Sequence, residues 1–114
     1  MIDGKFYIEL ADQKRELVAN FGFIEAVEQS VIKKPIVQLL DEAITGRFSI
    51  SEMISVFYCA LKANKDTRLN KEQVGEAVVN AGSIHFVKTY IEILTFAITG
   101  EIEIKPSEQD DKKK

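Results

Sequence analysis

The stretch KFYIELADQKRELVANFGFIEAVEQSV, residues 5–31, changes its hydrophobic period part-way. Phe6, Ile8 and Leu10 alternate with Lys5, Tyr7 and Glu9, the period of a half-buried strand. The letters ADQK can turn the chain through Asp12. Arg15, Leu17 and Ala19 then share one face of a return strand. From Asn20 the period lengthens. Asn20 can cap a helix, and Phe23, Ile24, Val27 and Val31 follow at helical spacing. The chain therefore opens with a β-hairpin over about 4–19 and continues as helix to about 100. An isolated hairpin is marginal in water, so this one must pack on those helices or on another chain.

Working outward, Pro35 ends the first helix and can occupy the first turn of a second. Ile36, Val37, Leu39, Leu40, Ala43 and Ile44 give that second helix an apolar stripe, and Gly46 stops it. Ser49 and Glu52 have the form of a capping box ahead of a third helix carrying Met53, Phe57, Ala60 and Leu61 to about Ala63. A polar connector follows. Asn70 and Gln73 open a short fourth helix whose buried side is Val74, Ala77, Val78 and Ala81. Gly82 ends it, and Ser83 is placed to cap a fifth helix reaching Thr99. The letters AITG occur at Ala43–Gly46 and again at Ala97–Gly100, but no other stretch aligns at that offset. Each copy reads as a helix ending on a glycine that takes positive φ. The difference before them, Asp41-Glu42 against Thr95-Phe96, reports environment, with the acids turned to water. The fold class is α+β, mainly α: a hairpin and about five helices in one domain over 1–104, then a disordered charged tail over 105–114.

A chain of 114 residues fits one domain. Net charge of −3 argues against sequence-independent nucleic-acid binding, which needs Lys and Arg to neutralise phosphates. The single cysteine, Cys59, allows no intramolecular disulfide. No basic-then-apolar leader opens the chain, and the apolar run Ile84–Ile98 is broken by Lys88 and Glu92. The expectation is a cytoplasmic protein that neither spans nor binds a membrane.

The fifth helix carries more apolar surface than the others. At 100° per residue, Ile84, Val87, Ile91, Leu94 and Ile98 gather on one side. Phe86, Tyr90, Ile93 and Ala97 lie a quarter turn away, and His85, Lys88, Glu92, Thr95 and Thr99 form a polar stripe. Phe96 lies beside that stripe. The apolar arc spans about half the circumference, wider than a surface helix needs. Two readings follow. Either the helix is central and surrounded, or the strip Phe86, Tyr90, Ile93 and Phe96 faces a partner. That strip is the candidate partner-binding site.

Chemistry-bearing patterns are few. His85 is the only histidine and reads as a surface residue. Cys59 lies within an apolar helical segment and reads as an inert buried thiol. The connector NKDTRLNKE is no calcium loop, since Asp66 lacks oxygen ligands at alternate positions and a central Gly. The third and fourth helices could form a helix-turn-helix, but KEQVGEAVVN is an acidic reading helix. No catalytic residues, metal ligands or cofactor motif are assigned, and no enzyme activity is expected.

The order of pieces resembles a known family. A strand pair precedes a helix containing Asn20-Phe-Gly, then Gly46-Arg-Phe-Ser49, Ala60-Leu61, Glu72-Gln-Val74 and a long apolar closing helix. This is similar to the small tail assembly chaperones of phage and prophage particles, in the gene-transfer-agent branch, over about Gly4 to Gly100. The family gap often contains glycine, where this chain has NKDTR. The resemblance implies a non-catalytic protein without cofactors. It would bind the tape measure protein, help recruit the tail tube protein during tail morphogenesis in the bacterial cytoplasm, and form a homo-oligomer. The alternatives are a structural tail component, or a small prophage-encoded adaptor or regulator.

Overall fold

The computed structural model describes residues 5–10 and 13–100. The turn assigned to Asp12 and the tail assigned to 105–114 lie outside these residues. Strands β1 (Lys5–Leu10) and β2 (Gln13–Val18) form an antiparallel pair with Phe6 opposite Leu17, Ile8 opposite Arg15 and Leu10 opposite Gln13. This register puts Phe6, Ile8, Leu10, Arg15 and Leu17 on the buried face, with Ala19 just beyond β2 buried as well. Five helices follow: α1 (Phe21–Glu25), α2 (Ile36–Ile44), α3 (Ile50–Ala63), α4 (Lys71–Ala81) and α5 (Val87–Thr99). The α+β, mainly α class read from the sequence is the fold observed.

The helix starts follow the capping chemistry. Asn20 Oδ1 accepts from the Phe23 amide at 2.9 Å, and Ser49 Oγ accepts from Glu52 at 3.0 Å. Asn70 and Gln73 form a complete reciprocal capping box. At Ser49 the box is half made, because the Glu52 carboxylate turns to Lys34 instead, 2.7 Å away. Gly46 and Gly100 end α2 and α5 at φ 75° and 76°, as the shared AITG letters require. Asp41 is exposed, but Glu42 turns back to Lys34.

Two departures come from changes of helical phase. Helix α1 widens into a π-helical turn over Ala26–Val31, where Ile32 N–H reaches the carbonyl of Val27. The extra residue rotates Val31 away from the core, so Val31 is exposed while Phe23 and Val27 stay buried. Before α5, Ser83–Phe86 forms a 3₁₀ turn with no side-chain cap from Ser83. The tighter turn breaks a count of 100° per residue begun at Ile84. Ile84, at the start of that count, is 75% exposed; Thr95, expected on the polar stripe, is buried although it lies within α5 itself, where the count is unbroken. Ala81 likewise is exposed rather than buried.

The core joins the hairpin's inner face to α1, α3 and α5, with Leu17, Phe23, Met53, Phe57, Leu61, Tyr90 and Leu94 among its most enclosed side chains. Each such side chain contributes about 1.5–3 kcal/mol of burial. Helix α2 packs chiefly on α5 through Ile36, Leu39, Leu40 and Ala43. Its remaining apolar residues, Val37 and Ile44, stay exposed. One buried polar cluster pins the hairpin to the α3–α4 connector. Arg15 Nη1 lies 3.3 Å from Asp66 Oδ2, and Arg15 also donates to the carbonyl of Leu10 and to Gln13 Oε1.

Candidate functional site

The strip picked out on the fifth helix is not a free surface. Tyr90 and Ile93 are fully enclosed, Phe86 is buried and Phe96 is half-buried. Each aromatic ring has a partner within the fold. Phe86 and Tyr90 meet Phe57 edge-on at 6.0 and 6.2 Å, Tyr90 also meets Phe48 at 5.6 Å, and Phe96 meets Phe6 at 5.9 Å. Such pairs add about 0.5–1.5 kcal/mol each beyond area. The reason is topological: α5 is enclosed by α2, α3 and the hairpin, so the wide apolar arc serves several neighbours at once. Of the two readings, the surrounded helix is the one found. The expectation of an exposed strip is corrected accordingly.

One feature of the strip is unusual. The Tyr90 hydroxyl is buried and makes no hydrogen bond. Burial pushes its pKa up, and the nearby carboxylates of Glu52 and Glu42 push it further. Those two carboxylates flank Lys34, whose Nζ lies 3.1 Å from Glu42 Oε1 and 2.7 Å from Glu52 Oε2. The hydrogen bonds that Lys34 donates to Glu52 and then to Glu42 raise the lysine's pKa despite some desolvation. Glu42 is lowered by its bonds from Gln38 and Lys34. Beside this cluster, Glu28 Oε2 accepts from the Ile36 amide at 2.8 Å and caps α2 from outside, because Pro35 at the cap position has no side chain that can do so. The sequence reading missed this ion cluster. A lysine next to Pro35, with acids recurring one helix later, is too common a pattern to point to it.

The other candidate groups have structural occupations. Asp66 accepts from Arg68 at 3.0 and 3.1 Å and from Arg15 at 3.3 Å. These bonds, Arg68's foremost, hold its carboxyl at about 2, which leaves it ionised and committed to arginines. Arg15 at an inward strand position was the available signal, though its partner is 51 residues away. Cys59 is buried in α3, and desolvation pushes its thiol up to about 11, so it is protonated and shielded. His85 is exposed. Among the described residues no three His, Cys, Asp or Glu side chains are grouped to hold a metal ion.

Between β1 and α4 runs an open groove of about 660 Å³, lined by Glu9, Glu72 and Glu76 with Leu69, Ala77 and Asn80. Among the described residues three carboxylates and no cation line it, a lining that repels a phosphate backbone. Two of these acids, Glu72 and Glu76, lie on α4, the helix that would read DNA in a helix-turn-helix. Among the described residues no helix is long and apolar enough to cross a membrane.

The surface carries apolar residues on α2 and at both ends of the closing helical segment. Val37 is 65% exposed, Ile44 54% and Ile98 42%, in addition to Ile84. Comparison with protein-family models, with characterised proteins and with solved structures found no match.

Proposed function

We propose that this chain is a non-catalytic binding protein that keeps an apolar helical partner soluble. By the resemblance of its motifs, the partner is the tape measure protein of a phage-like tail. The observation that carries this reading is the apolar surface left on α2 and around α5: Val37, Ile44, Ile84 and Ile98. Helix-in-groove recognition uses such surfaces, and their burial drives association at roughly 25 cal/mol per Å². The motifs that carry the resemblance fall at the joints of the fold. Gly46-Arg-Phe-Ser49 turns α2 into α3, Ala60-Leu61 closes α3, and Glu72-Gln-Val74 is the first turn of α4. Histidine, cysteine and the best-placed carboxylates are exposed alone, buried or held by arginine and lysine, which favours binding over catalysis.

The test is co-expression with the tape measure protein, a long helical protein that this reading expects to be encoded beside the chain. The expected result is that the helical protein, insoluble alone, becomes soluble and co-purifies with this chain. Its remaining insoluble in both cases overturns the reading. Recruitment of the tail tube protein and self-association are read out on the same material, by pull-down and by mass in solution.

A further inference from the structure

We infer that the open edge of β1, with the acidic groove between it and α4, is a peptide-binding surface. It takes an extended, lysine- or arginine-rich segment of a partner protein as an added strand. This surface is separate from the exposed apolar residues of α2 and α5, and it does not rest on the function proposed above.

The backbone provides the first argument. Leu10 lies opposite Gln13 across residues 11 and 12, and so short a loop can close only on a hydrogen-bonded pair. Ile8 with Arg15 and Phe6 with Leu17 are then hydrogen-bonded pairs as well. Tyr7 and Glu9, between them, direct their N–H and C=O groups away from β2. Among the described residues no backbone group meets them on that side. The other edge of the sheet is covered: α3 packs along β2, and Asn64 Nδ2 reaches the carbonyl of Glu16 at 3.5 Å. The β1 edge is left to accept a strand.

The space beside that edge is open. The groove of about 660 Å³ along α4 and a smaller hollow of about 350 Å³ that reaches Tyr7, His85 and Thr89 share Glu9 and Ala81. Together they run past β1. The small side chains of Ala77 and Ala81 keep the α4 wall low, and with Leu69 they offer apolar surface to the stems of long side chains.

Charge selects the occupant. Asp41, Glu42, Glu52 and Asp66 each hold a lysine or arginine, whereas among the described residues no cation pairs with Glu9, Glu72 or Glu76. Lys14, opposite Glu9 in the hairpin, lies over the Tyr7 ring at 4.9 Å instead. Glu72 and Glu76 are one helical turn apart, a spacing at which like charges repel, and Glu9 lines the same groove. A cationic peptide relieves that repulsion; an acidic one adds to it. The chain's own residues 101–114 carry five acids against four lysines, so charge does not select them. A helix has its backbone groups bonded internally, whereas an extended segment can offer them to Tyr7 and Glu9.

The probes are a fluorescent Lys-Val repeat decapeptide, the same peptide with every backbone amide N-methylated, and a Glu-Val repeat, each titrated into the whole chain. The Lys-Val peptide should bind, more weakly as salt rises, and the other two should not. Hydrogen exchange should show the amides of Tyr7 and Glu9 slowed by the peptide, with those of Phe6 and Ile8, already bonded to β2, unchanged. The double variant Glu72→Gln, Glu76→Gln should bind about three- to tenfold more weakly while its circular dichroism stays the same. Glu25→Gln, an exposed acid on α1 outside the groove, should bind as the wild type does. If the double variant fails to fold, the protection pattern in the wild type decides. No binding of the Lys-Val peptide, equal binding of its N-methylated form, no protection at Tyr7 and Glu9, or unchanged affinity in a folded double variant overturns the inference.

Discussion

At Tyr90 the fold leaves a polar atom with nothing to bond. The hydroxyl is buried, on a ring packed against Phe57 and Phe48. Removing it keeps the ring packing and deletes the unsatisfied group, so Tyr90→Phe should stabilise the protein by up to about 1 kcal/mol. In a domain of this size that is a rise of about 4–8 °C in Tm, and a fall in Tm would contradict it. Asp66 is the opposite case, a buried acid with every oxygen engaged. Its folded pKa is depressed from an ordinary 3.8 to about 2. A depressed carboxylate contributes stability above its unfolded pKa and loses it as pH falls through the folded value. Stability should therefore drop between about pH 4 and pH 2. Asp66→Asn should flatten that segment of the pH profile. It should also cost roughly 3 kcal/mol at neutral pH, because Arg15 is left buried without a counter-charge. An unchanged acid profile in Asp66→Asn would show that other carboxylates govern the transition.

Among the elements, α5 decides how the sequence should have been read. Its apolar arc was visible, and so was the possibility that the helix is surrounded. Which side faces inward was not visible, because packing against α2, α3 and the hairpin decides it, and the 3₁₀ turn at Ser83–Phe86 also shifts Ile84 out of the angular count. The π-helical turn did the same to Val31. Period-two alternation in β1 and β2 was unambiguous, since one register buries Phe6, Ile8 and Leu10 together with Leu17. Local caps at Asn20, Ser49 and Asn70 were also legible, because donor and acceptor lie three residues apart. The Lys34 cluster and the Arg15–Asp66 pair were not, because their partners are brought together only by tertiary packing. The corrected α5 gives a sharp expectation. Ile93→Glu places a carboxylate in the closed core and should cost several kcal/mol, enough to unfold a marginal domain. Ile84→Glu, on the same segment but 75% exposed, should change stability by less than about 0.5 kcal/mol. Thermal melts of the two variants check the assignment of faces, and similar melts would refute it.

For the whole molecule, the contact between Phe6 and Phe96 carries a kinetic consequence. The rings meet at 5.9 Å although one lies in the first strand and the other near the end of α5. Closing so long a loop is entropically slow, whereas α3 and α4 are neighbours in both sequence and space. The helical body is expected to condense first and the hairpin to join after the rate-limiting barrier. Phe6→Leu and Phe96→Leu should then accelerate unfolding and leave the refolding rate nearly unchanged, whereas Val74→Ala between α3 and α4 should slow refolding. Stopped-flow chevrons distinguish the two patterns, and slowed refolding in the Phe6 variant would reverse the order. A nascent chain can pair its first strand with β2 early, but the hairpin's apolar face stays uncovered by α5 until that helix is complete. For that interval the hairpin, open on its apolar face and along β1, is a template for intermolecular pairing, and the speed of synthesis becomes a determinant of yield.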